Sequence, residues 1–178
     1  SLGAATGAGS AVSTSGDANG AGGAVTLRAG PGALDAVTLA RRITSPVDAA
    51  VDAAGDLTFG TRVHLDQNST VVSRHGDVAF DASIDTDPDN GARSRSLLVS
   101  AHDPDDPDAT PGTIRLAGDV GAVNDLRTAI FADDVVLEGG ARSVHVTQAA
   151  VFAGDIDADA QDSASLAILA GPRVDLNG

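Results

Sequence analysis

The 178-residue chain contains no Cys, Met, Trp or Tyr, and only four Phe. It also lacks Lys, so all 11 cations are Arg, and Glu138 is its only Glu. Each absence excludes something. Without Cys there is neither a disulfide framework nor a thiolate metal site. That lack suits export and the cytosol equally. Without Met, Ser1 is expected not to be the translated start, so the chain is processed or belongs to something longer. A secretory signal would then already be gone. No apolar run approaches the roughly 18 residues that span a bilayer, and no membrane insertion is expected.

The formal charge is −14, carried almost wholly by Asp. Such a surface repels nucleic acid and anionic lipid, so no nucleic-acid partner is expected. It favours solubility, divalent cations or salty surroundings. Asp also suits turns better than helices, because its short side chain bonds its own backbone there.

What is present is a rhythm. Residues 1–23 are Gly, Ala, Ser and Thr with little else, a composition that reads alone as a linker. Here they are expected to form an ordered N-terminal segment and a contact for assembly. From residue 24 onward short alternating triplets dominate: Val25-Thr26-Leu27, Leu57-Thr58-Phe59, Val78-Ala79-Phe80, Ile114-Arg115-Leu116 and Val174-Asp175-Leu176. Period two with branched and aromatic residues marks strands with one buried face. Several triplets are followed by another apolar residue four positions on, as Phe59 is by Val63 and Phe80 by Ile84. Triplet, bend and new strand is the pattern of a polygonal coil. Gly55, Gly76 and Gly112 each precede a triplet by two residues, where a corner would use positive φ.

The pattern also repeats at long range. Leu57, Phe59, Val63, Leu65, Val72, Val78, Phe80 and Ile84 recur 72 residues later as Ala129, Phe131, Val135, Leu137, Val144, Ala150, Phe152 and Ile156. Self-similarity of this kind points to stacked repeats. Phe59 to Phe80 and Phe131 to Phe152 are both 21 residues apart, a fitting length for one coil of three short strands. Parallel stacking would set Phe59 over Phe80 and Phe131 over Phe152. The competing architecture is an antiparallel sandwich. Scarce hairpin signals weigh against it.

Two stretches break the rhythm. Ser45 to Gly55 has an N-cap Ser, Pro46 in the first turn, apolar residues at helical spacing and a terminal Gly. It predicts a short helix near 46–54, or else a wide loop. His102 to Pro111 repeats Asp-Pro and cannot form a strand, since Pro lacks a donor. It should project from residues 24–178, which are otherwise expected to form the solenoid.

Three stretches carry a resemblance: Gly76-Asp-Val-Ala-Phe-Asp-Ala-Ser-Ile84 followed by Ser96-Leu-Leu-Val-Ser100; Gly112-Thr-Ile-Arg-Leu-Ala-Gly-Asp-Val120; and Ala150-Val-Phe-Ala-Gly-Asp-Ile156 followed by Ser165-Leu-Ala-Ile168. Their glycine, alternating strand, acidic turn and Ser-Leu-x-Val strand resemble the β-strand-repeat regions of large bacterial exoproteins. These are of the filamentous-haemagglutinin and autotransporter-passenger type. The resemblance spans about residues 23–178. It implies an all-β, right-handed parallel β-helix, secreted or displayed at the cell surface, serving as an adhesin stalk or extracellular fibre. The Asn-Pro motifs of that family's secretion-recognition domain are absent, so the chain is not that domain.

Candidate chemistry is sparse. Asp85, Asp87, Asp89 and Asn90, with Gly91 behind them, resemble a calcium loop, because a hard cation needs several oxygens on a sharp turn. The Gly falls one place late for an EF-hand and no Glu closes the loop, so a solvated acidic turn competes. The acids of 102–108 pose the same choice. His64, His75, His102 and His145 form no His-x-x-x-His pair and none recurs at the 72-residue shift. There is no Gly-x-Ser-x-Gly elbow. The Gly-rich stretches near Gly7 and Gly20 follow no strand and open no helix, which argues against a phosphate loop. An enzyme would need an outer groove, for instance one lined by Arg93, Arg95 and Asp108. Carbohydrate-active β-helices also carry aromatic sugar platforms outside, whereas all four Phe here sit in core register.

The sequence therefore leads to a non-enzymatic structural module without a cofactor, calcium being the one candidate ion. Its expected partners are identical subunits stacked head to tail, or flanking repeats of a longer chain. The competing expectation is an adhesin-type binding module that uses loops 85–95 and 102–111.

Overall fold

The computed structural model describes residues 12–13, 25–27, 36–39, 49–53, 55–65, 68–86, 95–103, 105–106, 108–159 and 164–177. Of the N-terminal segment 1–23, all but Val12 and Ser13 lies outside the described residues. Every pairing between the described strands is parallel. The sandwich is thereby excluded, and the architecture is a β-solenoid.

Its strands form three walls. The first wall holds β1 (Val12–Ser13), β4 (Ala49–Ala53), β7 (Ser69–Ser73), β10 (Ser96–Ser100) and β12 (Leu126–Phe131). It continues through the later half of β14 (Ala141–Phe152) to β17 (Arg173–Leu176). The second wall stacks β2 (Val25–Leu27), β5 (Leu57–Phe59), β8 (Val78–Phe80), β11 (Ile114–Leu116), β13 (Val135–Leu137) and β15 (Ile156–Ala158). The third holds β3 (Ala36–Leu39), β6 (Arg62–Leu65) and β9 (Ile84–Thr86), then a bridge at Val120, the earlier half of β14 and β16 (Ser165–Ala170).

The triplets explain the walls. With period two, the outer residues of each triplet point inward and the middle one outward. In β5, β8, β11 and β13 the flanking residues are buried and the central residue is half-buried. Like then falls on like. The ring centroids of Phe59 and Phe80 lie 4.8 Å apart with planes 4° from parallel, matching the strand spacing. Phe131 and Phe152 repeat the arrangement at 5.0 Å and 24°. All four rings are at most 1 % exposed, so each contributes roughly a full side chain's worth of burial, about 2–3 kcal/mol.

Two corner glycines owe their identity to crowding. A Cβ on Gly112 would stand 2.3 Å from the Gly76 carbonyl oxygen, and one on Gly76 would stand 2.4 Å from Asp56 Oδ1. Neither has positive φ, contrary to the sequence expectation; that conformation occurs at Gly121, Gly139 and Gly140. The corners are tight because successive coils stack there, not because the chain reverses hand.

Among the described residues, no helix forms near 46–54. Residues 46–48 and 54 lie outside the described residues, and 49–53 form β4. Val51 and Ala53 are buried at strand spacing, and β4 pairs with β1 on one edge and β7 on the other. Ala-Ala-Val-Asp-Ala fits either period. A single helical turn is marginal alone, and two waiting ladders decide the outcome.

The 72-residue shift is also not the structural repeat. It carries Leu57–Phe59 of the second wall onto Ala129–Phe131 of the first, and Val63–Leu65 of the third wall onto Val135–Leu137 of the second. Apolar matches apolar because all three walls share one pattern. The true unit is the 21-residue coil, seen in the pairings Phe59↔Phe80, Leu116↔Leu137 and Phe131↔Phe152. Loop 102–111, with the longer connection between β9 and β10, stretches one coil, so that Phe80 pairs with Leu116.

Candidate functional site

Loop 102–111 leaves the corner between the first and second walls. Its base is closed by the Gly112 amide, which donates to the Ala101 carbonyl at 2.6 Å. Two Asp residues fold it locally: Asp103 Oδ1 accepts from the Asp105 amide at 2.9 Å, and Asp106 Oδ1 from the Asp108 amide at 3.1 Å. Asp105, Asp106 and Asp108 are exposed.

Neighbouring coils grip this loop from both sides. From the β7–β8 corner, Arg74 Nη1 reaches Asp103 Oδ1 at 2.7 Å and Asp105 Oδ2 at 3.0 Å. His75 Nε2 lies 3.9 Å from Asp103 Oδ2. From the β12–β13 corner comes Asp133, a buried carboxylate. Its Oδ2 accepts from the Ala101 amide at 2.6 Å and from Ser100 Oγ at 3.3 Å. Its Oδ1 lies 2.6 Å from His102 Nδ1. A carboxylate at 6 % exposure is tolerated because several donors replace the water it has lost.

Ser100, His102 and Asp133 have the composition of a catalytic triad but not its geometry. Ser100 Oγ sits 3.1 Å from Nδ1, the same nitrogen that faces Asp133. A relay needs the hydroxyl on the opposite nitrogen, so that the ring carries a proton between two groups. Ser100 is also buried beneath the corner. The cluster is a clamp that fixes where the loop starts.

The calcium candidates are only partly placed. Asp85 lies in β9 at 3 % exposure, and its Oδ1 accepts from the amides of Val123 at 2.9 Å and Asn124 at 3.4 Å. Asp87, Asp89 and Asn90 lie outside the described residues. Among the described residues, no three His, Asp or Glu side chains converge as a metal would need. Arg93 also lies outside them, and Arg95 and Asp108 fall on opposite sides of β10 in the chain.

A column of Asp corners was not anticipated. Asp56 Oδ1 accepts from the Asp77 amide at 3.0 Å, and Asp77 Oδ1 accepts from the Thr113 amide at 2.8 Å. Asp134 Oδ1 accepts from the Asp155 amide at 3.0 Å, and Asp119 Oδ1 accepts from the Ser143 amide at 2.7 Å. Each carboxylate thus binds the coil above. Three of these follow a Gly in sequence, at 55–56, 76–77 and 118–119, whereas Asp134 follows Asp133 and carries no such signal. Outside, Arg115 pairs with Glu138 at 2.9 Å and faces Asp77 at 3.8 Å. The hydrogen bond to Glu138 raises its pKa above the ordinary guanidinium value; burial opposes this, and the charges of Glu138, Asp77 and Asp159 add to the rise.

The last coil differs from all of these. Val174 and Leu176 hold inward register positions, over Ala150 and Phe152, yet are 44 % and 59 % exposed. Leu166, Ile168 and Ala170 of β16 are only partly buried against the core. Among the described residues, no strand lies above these core side chains. Among the described residues, β15 also ends its sheet without a further partner.

No protein-family model matches the chain, and no curated protein or solved structure matches it. The class is therefore defined by the fold alone: a three-walled β-solenoid, consistent with a β-repeat protein.

Proposed function

We propose that this chain is a structural segment of an extracellular fibre or surface protein, a secreted β-repeat module of the filamentous-haemagglutinin or autotransporter-passenger kind. Its work is mechanical rather than catalytic. Parallel ladders run along the axis, an aliphatic and Phe column fills the interior, and an acidic exterior keeps neighbours apart. The observation that carries this reading is the uncovered last coil, with Val174 and Leu176 at core register and in solvent. An open sheet edge above bare core residues is a template for further strands. Identical subunits stacked head to tail, or flanking repeats of a longer chain, supply them.

Electron microscopy of the purified chain, with and without a chelator, tests the proposal. Fibres that persist in chelator support it. A uniformly monomeric protein would remove end-to-end stacking.

A second reading has one observation in its favour. Loop 102–111 is exposed at Asp105, Asp106 and Asp108 yet clamped at its base by Arg74 and Asp133. A rigidly held acidic loop suits an adhesin-type module that binds a ligand or calcium. Under that reading the chain stays monomeric and melts earlier once calcium is removed.

A further inference from the structure

We propose that copies of this chain join by strand exchange: β17 of one copy takes the first-wall place held by β1 in the next. The inference rests on the stacking reading above and names its contact.

The order of walls leads to it. The first described strands run β1, β2, β3 on walls one, two and three. The last run β15, β16, β17 on walls two, three and one. A coil that has just finished wall one at β17 must next supply wall two. The next copy's β2 therefore belongs directly over β15, and its β3 over β16. Its β4 then falls over β17, in the site that its own β1 occupies. If β1 stayed and sat on β17, walls two and three would each lack one strand. Two ladders would stay open at the joint, with their amides and carbonyls unpaired.

The competition for that site favours β17. Strand β1 has two residues, paired as Val12↔Val51 and Ser13↔Asp52. Strand β17 has four, and the first-wall columns extend through it. One column runs Ala49, Ser69, Leu97, Ala129, Ala150, Val174, and the next Ala50, Thr70, Leu98, Ile130, Val151, Asp175. A third runs Val51, Val71, Val99, Phe131, Phe152, Leu176. Continued into the next copy, these columns set Val174 against Ala49, Asp175 against Ala50 and Leu176 against Val51. The exchange adds ladder pairs and covers the two exposed core residues. On wall two the same rule sets Ile156 against Val25 and Asp157 against Thr26. The contact joins unlike faces, so it propagates without closing.

The absence of Cys makes the test clean. In the double variant Thr26→Cys/Asp157→Cys the two thiols stand at opposite ends of one column, about 24 Å apart within a copy, beyond the reach of a disulfide. Across the joint they would be adjacent strands at about 4.8 Å, within reach. A second pair, Ala50→Cys/Asp175→Cys, meets only if β1 has left its place. Under oxidation both pairs should give ladders of covalent multimers on a non-reducing gel. The control Thr58→Cys/Asp157→Cys should give none, because β2 covers Thr58. Fibres in micrographs without a 26–157 bridge would keep the stacking reading and overturn this register. A 26–157 bridge without a 50–175 bridge would overturn the exchange. Protein that stays monomeric in every case would overturn both.

Discussion

Phe152 and Leu176 are neighbours in one inward column of the first wall, yet the first is fully buried and the second is 59 % exposed. Ala150 and Val174, beside them, show the same contrast. Chemistry and register do not separate the pairs. The difference, among the described residues, is that one coil has another above it and the other does not. In a solenoid, burial is a property of neighbours more than of residues, because each repeat touches only those adjacent to it. Stability should therefore be graded along the axis, and substitutions along one column should reveal the gradient.

The largest effect is expected in the middle. Phe131→Ala removes a fully buried ring stacked on Phe152 and leaves a cavity that the flanking coils cannot close. A loss of about 3–5 kcal/mol is expected, measured as a drop in the denaturation midpoint. If the midpoint stayed within error, the Phe columns would not be structural. Gly112→Ala should follow closely. Its Cβ would overlap the Gly76 backbone, so two coils must separate locally, at about 1–3 kcal/mol or more. An unchanged midpoint would show that the corners are looser than described.

The clamp ranks next. Asp133→Ala leaves the Ala101 amide buried without its acceptor, while Ser100 Oγ keeps the His102 carbonyl at 3.3 Å, at a cost of about 1–3 kcal/mol. It should also free loop 102–111, and hydrogen exchange at the Asp105 and Asp108 amides would report this as lost protection. Protection that survives the substitution would assign the loop's order to Arg74 alone.

Much of the interior was legible in the sequence and little of the exterior was. Alternating triplets imply inward pairs whatever lies beyond them, so Phe59 over Phe80 follows from period and coil length. The β4 segment fits a short helix or a wide loop in sequence, because 47, 50, 51 and 54 also fall at helical spacing. Only the ladders on both its edges resolve that ambiguity. The 72-residue shift misled for a related reason: walls of identical pattern match under any shift that lands strand on strand. His102 and Asp133 are 31 residues apart, and nothing in sequence spacing reveals that an insertion brings them to one corner. Local sequence also cannot show that Asp85 Oδ1 accepts from the amides of Val123 and Asn124 across the coil.

A charged pair on the outer wall should matter less than any buried contact. Arg115→Ala breaks the link to Glu138 between side chains that are both partly exposed, so about 0–1 kcal/mol is expected. The raised Arg115 pKa fixes the sign of its pH dependence. A cation whose folded pKa exceeds its unfolded value contributes fully below the unfolded value and loses that contribution as pH rises through the folded one. Because both lie in the strongly basic range, the difference between wild type and variant should not change through neutrality on the arginine's account. A difference that vanished near pH 7 would mean that another group carries the effect.

The smallest effect on the isolated chain is the most discriminating. Leu176→Ala removes a side chain that is already mostly in water, so the midpoint of the monomer should shift by less than about 0.5 kcal/mol. If a second copy covers the last coil, the same substitution removes a core residue of the joint. Assembly should then weaken at least several-fold while the monomer is unaffected. Phe131→Ala gives the opposite pattern, harming the monomer first. A Leu176 variant that destabilised the monomer by several kcal/mol would show that the last coil is already sealed. The contrast between its two neighbours in the column would then be lost.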